Sequence, residues 1–357
     1  MLLKHFSGSN SMPASQPSAL PDQAPKPMPV AFFGMAVGTL AWGHSWQAAA
    51  QVWPLPTVLV HLAMALGLGL WALLLLAYAR TWWRMPSAAR AELKLPVPSA
   101  MAALVTVSTL LAAISLKTLA PAVAWVLLGL GLVAQLGMSL WLSGRFWQGG
   151  RAPESINASV YLPTVAQNFV AATALASFGW TTLASLFFGA GLFSWLALES
   201  MVMGRAATLS ALDAAQRPLQ GIQLAPAVVG GLSYMALTSG PPDLMAHMLL
   251  GYGLYQALLA ARLLPWTLQS GFAPSYWAFS FGIMALTTMA LRMQVRAPEE
   301  ALWPLLTPVL FGVANLVMAT LLWRTLGLAR QGRLWPPAVP APPTPAMAPP
   351  AATSAER

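Results

Sequence analysis

The stretch LVHLAMALGLGLWALLLLAYA, residues 59–79, runs for 21 residues without an Asp, Glu, Lys or Arg. The hydrocarbon core of a bilayer is roughly 30 Å thick, so an α-helix needs about 20 apolar residues to cross it. Lipid offers no partner for backbone N–H and C=O groups, and a long continuous apolar run must therefore pair them internally as a helix. Residues 59–79 thus predict a transmembrane helix.

The same pattern recurs along the chain. Hydrophobic residues make up 57% of the sequence and charged residues only 8%, whereas a soluble domain has about 25% charged residues. These numbers exclude a soluble fold, and the continuous runs differ from the alternating pattern of barrel strands. We predict an all-α integral membrane protein with ten transmembrane helices, at 29–50, 57–79, 99–116, 121–143, 159–177, 182–203, 222–239, 244–264, 274–293 and 301–323.

The basic residues predict the orientation of these helices. Fifteen of the 18 Lys and Arg residues lie before the first helix, in the second, fourth, sixth and eighth loops, or after the last helix. We assign the other three, Lys117, Arg292 and Arg296, to loops on the opposite face. Because Lys and Arg collect on the cytoplasmic side, both termini are predicted to be cytoplasmic. The short loops and the lack of a signal peptide favour the inner membrane of a bacterium.

Two segments of different composition flank the predicted membrane domain, which covers 29–324. Residues 1–28 are rich in Ser and Pro and lack an apolar signal region, and we predict a disordered cytoplasmic tail. Residues 325–357 end in a Pro/Ala-rich run that cannot bury a core. We predict a second cytoplasmic tail there.

Several function classes are disfavoured by the residues. The net charge of +9 comes from basic residues at helix ends, where anionic lipid headgroups account for it, so we expect no nucleic-acid partner. The chain has no cysteine, and its few histidines have no ligand spacing, so we expect no metal and no cofactor. No catalytic triad, phosphate loop or carboxylate pair occurs, and we predict that the protein is not an enzyme.

The odd-numbered predicted helices differ from the even-numbered ones. Each begins with a proline in its first turn, and helix initiation alone would explain that position. The alternative is that the prolines bend or break five inner helices around a central pathway, in a helical hairpin repeated five times. These kink prolines are Pro29, Pro98, Pro163, Pro226 and Pro274.

Small and polar residues also concentrate on the odd-numbered helices, whereas the even-numbered ones are more uniformly apolar. This difference favours an inner ring of odd-numbered helices and an outer, lipid-facing layer. The candidate pore-lining residues on the inner ring are Gly34, Gly38, Thr106, Asn168, Gly230, Ser233 and Gly282.

Seven segments together resemble the tellurite-resistance/dicarboxylate transporter family, which includes the slow anion channels of plant guard cells. The resemblance covers nearly all of 29–323. It is carried by FFGMAVGTLAW (32–42), ELKLPVPSAMAALVTVSTLLAA (92–113), YLPTVAQNFVAATALASFGW (161–180), LFFGAGLFSWLALES (186–200), GIQLAPAVVG (221–230), GPPDLMAHMLLGYGL (240–254) and SYWAFSFGIMAL (275–286).

The resemblance implies ten helices in five quasi-repeated hairpins, with helices 1, 3, 5, 7 and 9 around a pore. It also implies a homotrimer in which each protomer has its own pathway, and a phenylalanine on the ninth helix that occludes the pore. The segment SYWAFSFG places that pore gate at Phe281. An aromatic ring in a narrow apolar constriction can block ions sterically and by excluding water, although an ordinary packing role is the alternative.

Three functions stay open at this point. The first is a gated anion channel or facilitator for C4-dicarboxylates, inorganic anions or oxyanions such as tellurite, because a pore poor in acidic groups does not repel anions. The second is a proton-coupled dicarboxylate or sulfite exporter with Glu199 as the candidate titrating group; alternatively Glu199 pairs with a basic residue of a neighbouring helix. The third is a membrane scaffold or sensor whose tails bind partners.

Overall fold

The computed structural model describes residues 27–335, so most of both predicted tails, residues 1–26 and 336–357, lies outside the described residues. Within 27–335 the chain is helical and has no strand. The α-helices are α1 Phe33–Ala49, α2 Thr57–Arg84, α3 Pro86–Glu92, α4 Pro96–Met101, α5 Ala103–Leu116, α6 Pro121–Trp147, α7 Gln167–Ser177, α8 Thr181–Thr208, α9 Ala225–Leu237, α10 Leu244–Thr267, α11 Ala278–Arg296 and α12 Trp303–Arg330.

Seven helical segments of the described chain are long and apolar enough to cross a bilayer. They are α2, α6, α8, α10, α12, the segment Pro96–Leu116 that joins α4 and α5, and the segment Pro274–Arg296 that ends in α11. The protein is therefore an integral membrane protein with an all-α fold. Helices α1, α7 and α9 have only 17, 11 and 13 residues, and ten crossings stay a prediction.

The long apolar helices extend further toward their C-terminal ends than the sequence predicts. Helix α2 continues from 79 to Arg84, α6 to Trp147, α8 to Thr208 and α12 from 323 to Arg330. Apolar length marks only the part of a helix within hydrocarbon, whereas a helix continues through the headgroup layer wherever Lys and Arg side chains reach water. A basic residue in the last turn also interacts favourably with the helix dipole. As a result, the predicted C-terminal tail begins inside α12.

Five helices contact one another in a closed cycle. Helix α1 packs against α5, α5 against α7, α7 against α9, α9 against α11, and α11 against α1. Each of them also packs against the long helix that follows it, which is α2, α6, α8, α10 or α12 respectively. We call α1, α5, α7, α9 and α11 the five-helix ring.

Burial separates the ring from the surrounding helices. In the most apolar stretch of Pro96–Leu116, 78% of residues are buried, whereas the corresponding figure is 22% in α6, α8 and α12. The surrounding helices expose large apolar side chains such as Leu130, Phe193 and Leu258. Exposed apolar faces of this size fit contact with lipid, because hydrocarbon is as apolar as leucine.

Each ring helix follows a short helical segment or turn, and each of the five predicted kink prolines lies at or near that start. Pro29 precedes a 3₁₀ turn before α1, Pro163 lies in a π-helical turn before α7, and Pro274 opens a 3₁₀ turn before α11. Pro98 lies in the short α4, and Pro226 is the second residue of α9, directly after the 3₁₀ segment Arg217–Leu224. A proline lacks the N–H that a continuous α-helix would need, so regular winding begins after it.

Glycines allow the ring and the surrounding helices to approach closely, and this generates a first prediction. A Cβ added at Gly67 of α2 would lie 3.0 Å from the backbone of Leu40 and Thr39 in α1, whereas a Cβ at Gly69 would meet nothing within 4 Å. We expect Gly67→Val to lower the free energy of unfolding by about 1–3 kcal/mol, because backbone cannot yield as a side chain can.

The matched control is Gly69→Val, which makes the same change in helix propensity two residues away on an exposed surface. We expect it to stay within about 0.5 kcal/mol of wild type. The measurement is unfolding by sodium dodecyl sulfate titration in mixed micelles. Equal losses for the two variants would contradict the close α1–α2 contact.

Candidate functional site

The side chain of Phe281 lines two cavities within the five-helix ring and its entrance. We call them the small cavity, of about 50 Å³, and the large cavity, of about 560 Å³. Phe281 lies one turn into α11, directly after the 3₁₀ turn Pro274–Trp277. The phenylalanine therefore stands at the point where the two cavities meet.

All five ring helices, and no surrounding helix among the described residues, line the small cavity. Its walls are Ala41, His44, Leu111, Ile114, Val170, Thr173, Val229, Leu232, Phe281, Ala285, Thr288 and Arg292. These side chains are mostly apolar, and the volume holds only a few water molecules, each of which needs roughly 10–15 Å³ of accessible space. The small cavity is therefore a narrow apolar passage with two ionisable residues, His44 and Arg292.

Arg292 was wrongly assigned to a loop in the sequence analysis. Helix α11 continues to Arg296, so Arg292 lies a full turn before the helix end and its side chain lines the small cavity. Phe281, Ala285, Thr288 and Arg292 follow one another at intervals of four, three and four residues, which is the spacing of a single helix face. The same face thus carries the aromatic ring and, three turns further on, a guanidinium.

The charge of Arg292 has no carboxylate partner in the described chain, where the ion pair recorded is His247 with Glu300. Its neighbour Arg296, by contrast, donates hydrogen bonds to the Met235 carbonyl and the Thr238 hydroxyl. His44 contacts Ser115 through Nε2 and Gln47 through Nδ1. A cation without a carboxylate partner makes the potential of the small cavity positive.

The large cavity lies at the N-terminal ends of the ring helices. Three of the five kink prolines line it, namely Pro29, Pro98 and Pro274, together with Gly34. The segment after α12 closes one side with Arg333, Leu334 and Trp335. The Trp335 indole donates to the Pro27 carbonyl and packs edge-on against Phe32. Part of the predicted C-terminal tail is therefore a wall of this cavity.

A carboxylate stabilises the 3₁₀ turn that precedes α1, next to the large cavity. Glu92, the last residue of α3, accepts a hydrogen bond of 2.9 Å from the Val30 amide at the start of the first 3₁₀ turn. Burial raises the pKa of Glu92, and the Val30 hydrogen bond opposes that effect. This contact replaces one of the missing partners at a helix N-terminus.

Most of the predicted pore-lining residues lie at helix–helix contacts. Gly34 lines the large cavity, but a Cβ at Gly38 would collide with Ser280, one at Gly230 with Phe169, and one at Gly282 with Leu224. These glycines allow close packing within the ring, which is the usual role of small residues between membrane helices.

The polar candidates are likewise buried in contacts. Thr106 accepts a hydrogen bond from Gln167, and Asn168 accepts one from Gln135 of α6, whereas Ser233 is fully buried in α9 and its hydroxyl has no hydrogen-bond partner within the described residues. None of the three lines the small or the large cavity. The hydrogen bonds of Thr106 and Asn168 hold helices together where no water is available.

Glu199 lies nine residues before the end of α8 and does not line either cavity. It accepts four hydrogen bonds, from Tyr161 Oη (2.7 Å), Trp195 Nε1 (2.9 Å), Gln223 Nε2 (2.9 Å) and Tyr252 Oη (2.8 Å). The prediction that Glu199 pairs with a basic residue is wrong, because phenol, indole and amide groups donate hydrogen bonds to its carboxylate instead. The network joins α8, α10 and the segments before α7 and α9.

The comparisons with known proteins agree with this architecture. The family model described as voltage-dependent anion channel matches residues 27–326. The chain belongs to this family. The sequence is also 33% identical, over 267 residues, to the tellurite resistance protein TehA homolog of Haemophilus influenzae, which covers 74% of this chain and 81% of the relative. The resemblance seen in the sequence is thereby confirmed, and channel and transporter activity fit the family better than catalysis.

The signal for Arg292 was present in the sequence of this anion channel family member. Extending the Phe281 face of the ninth predicted helix by the helical period leads to Ala285, Thr288 and Arg292. The distribution of basic residues, which predicts the orientation of the helices, placed Arg292 in a loop. Because α11 continues to Arg296, Arg292 lies within the helix instead.

The Glu199 network generates a second prediction. We expect Glu199→Gln to lower the free energy of unfolding by about 2 kcal/mol or more, because the new amide N–H groups face donors and leave buried phenol and indole groups unpaired. Glu154→Gln, in an exposed loop, is the control and should change stability by less than about 0.5 kcal/mol. Both are measured by detergent titration. A loss no larger than that of the control would show that the network does not hold these helices together.

Proposed function

We propose that this protein is a gated anion channel or facilitator whose pathway runs through the five-helix ring and is closed by Phe281. The observation that carries the proposal is the position of the Phe281 side chain on both cavities, between an entrance of about 560 Å³ and a passage of about 50 Å³. An aromatic ring at an apolar constriction blocks ions by its volume and by excluding water.

The charges favour anions. Among the described residues that line the two cavities, none is acidic, whereas Arg292 lines the small cavity and Arg333 the large one. A positive charge with low-dielectric walls raises the local concentration of anions. The N-terminal parts of α1, α5, α9 and α11 also line the large cavity, and the N-terminal end of a helix dipole is positive.

Small anions fit the dimensions of the pathway. The small cavity would admit a compact anion only when Phe281 moves aside, and the proposed cargo comprises C4-dicarboxylates, inorganic anions and oxyanions such as tellurite. The name of the Haemophilus relative, a tellurite resistance protein TehA homolog, supports the last of these.

The proposed arrangement in the membrane has ten crossings in five hairpins, each formed by a ring helix and the long helix packed behind it. Segments wound as 3₁₀ or π turns would complete the crossings of α1, α7 and α9. With Lys and Arg collected on one face, both termini and the large cavity lie on the cytoplasmic side of the inner membrane. A homotrimer is part of the proposal through the family resemblance.

Passive flux is favoured over proton-coupled export. The candidate titrating group, Glu199, lies away from both cavities, and its two oxygens accept four hydrogen bonds. A coupling carboxylate must exchange protons with the pathway, whereas this one contacts groups that hold the surrounding helices.

The gate is tested by Phe281→Ala. We expect the variant to give an anion-selective current in planar bilayers at least about tenfold above wild type, because the aromatic plug is removed. Chloride, nitrate and malate gradients give the selectivity from the reversal potential. Phe193→Ala, on the exposed face of α8, is the matched control and should conduct like wild type. A correctly inserted Phe281→Ala protein without current would refute the gate and favour the scaffold function.

The charge of Arg292 is tested in the Phe281→Ala background. We expect Arg292→Gln to reduce anion conductance severalfold at low ionic strength, with the difference shrinking at high salt as screening increases. Arg292→Lys should retain most of the conductance, and Arg262→Gln, which removes an exposed charge outside the cavities, should retain all of it. The assignment of Arg292 fails if Arg292→Gln and Arg262→Gln conduct equally.

A further inference from the structure

A third cavity, of about 180 Å³, lies outside the five-helix ring between α8, α10 and the 3₁₀ segment Arg217–Leu224. Most of its wall is apolar, with Val202, Leu263 and Phe279 among the lining residues. The polar lining residues are Asn157, Arg205, Gln220, Gln223, Gln256 and Thr267, and no acidic residue belongs to this set in the described chain.

Two polar groups of this third cavity have no partner within the described residues. The Nε atom of Arg205 and the Oε1 atom of Gln220 are both buried and without a hydrogen bond. Arg205 also has no ion pair there. Buried polar groups in proteins are almost always hydrogen-bonded, and an unpaired guanidinium N–H is especially costly. A ligand that satisfies both atoms would present an anionic acceptor to Arg205 Nε and a hydroxyl donor to Gln220 Oε1.

The surroundings of the third cavity are those of a lipid headgroup site. Arg205 lies in the last turn of α8, at the end of a membrane-spanning segment where headgroups begin. Exposed apolar side chains of α8 and α10, Met203 and Leu259, border the cavity on the side that faces the bilayer. Basic pockets between transmembrane helices on the cytoplasmic side bind anionic headgroups.

We propose that the third cavity binds one anionic phospholipid with a hydroxyl-bearing headgroup, of the phosphatidylglycerol type. The lipid phosphate accepts hydrogen bonds from Arg205, the headgroup hydroxyl donates to Gln220 Oε1, and the acyl chains lie along the exposed faces of α8 and α10. The assignment to the cytoplasmic leaflet rests on the proposed topology, whereas the contacts do not.

The 3₁₀ segment Arg217–Leu224 forms a shared wall between this site and the pathway. Leu219 and Ile222 line the large cavity, whereas Gln220 and Gln223 line the third cavity. Residues three apart lie on the same side of a 3₁₀ helix. Leu219 and Ile222 therefore form an apolar face toward the large cavity, and Gln220 and Gln223 form a polar face toward the third cavity. A lipid at Gln220 therefore packs against the outer side of the pathway wall.

The test is native mass spectrometry of the purified protein titrated with phosphatidylglycerol and, separately, phosphatidylcholine. We expect wild type to retain one phosphatidylglycerol in preference to phosphatidylcholine, and Arg205→Gln to bind it at least about tenfold more weakly, as the loss of a charge-assisted hydrogen bond requires. Arg262→Gln removes an exposed charge near the same end of the bundle, on α10, and should bind like wild type.

Two further arms make the assignment specific. Ala206→Trp fills the third cavity without touching a charge, and it should weaken phosphatidylglycerol binding as Arg205→Gln does. Inorganic phosphate, tested by thermal shift, should not replace the lipid. Equal binding of the two lipids, equal affinity of Arg205→Gln and Arg262→Gln, or saturable stabilisation by phosphate alone would overturn the proposal. None of these readouts depends on ion conduction, so they are independent of the proposed channel function.

Discussion

Backbone N–H and C=O groups cannot face hydrocarbon without a partner, and this constraint divides the chain into two kinds of helix. The surrounding helices α2, α6, α8, α10 and α12 are long and regular, and they expose apolar side chains. The irregular 3₁₀ and π turns occur at the starts of the ring helices, where other protein segments cover them. Non-regular backbone is tolerated at membrane depth only in such places, buried in protein or beside a cavity. The irregular turns at the starts of the ring helices thus depend on the cover that the surrounding protein provides.

The entrance geometry in turn positions Phe281. The 3₁₀ turn Pro274–Trp277 leads directly into α11, and Gly282 allows Leu224 to approach the helix beside Phe281. Close contact of α11 with both α1 and α9 fixes the direction in which the Phe281 face of α11 points. Because one face of α11 carries both the aromatic ring and Arg292, the same packing directs both side chains to the small cavity.

The sequence predicts the helix class and the inner and outer layers well, because apolar length and proline position are local signals. Residues that line a pore are harder to predict from such signals. Gly38, Gly230 and Gly282 are small for helix packing, and smallness alone does not distinguish a packed face from an open one. Arg292 falls inside the predicted helix 274–293, but a count of charges does not distinguish a basic residue near a helix end from one whose side chain lines a cavity. The partners of Glu199 come from three other segments of the chain and follow only from the tertiary contacts.

The ionisable groups within the bundle fall into two kinds, according to whether the protein itself supplies their partners. Glu199 accepts four hydrogen bonds from neutral donors, and such a carboxylate holds its neighbours in place because any change of its charge would leave them unpaired. Arg292 and Arg205 have no carboxylate partner in the described chain, and each lines a cavity. A charge that the protein itself does not neutralise can interact with something that enters from outside. By this reasoning Glu199 belongs to the architecture, whereas Arg292 fits the proposed anion pathway and Arg205 the proposed lipid site.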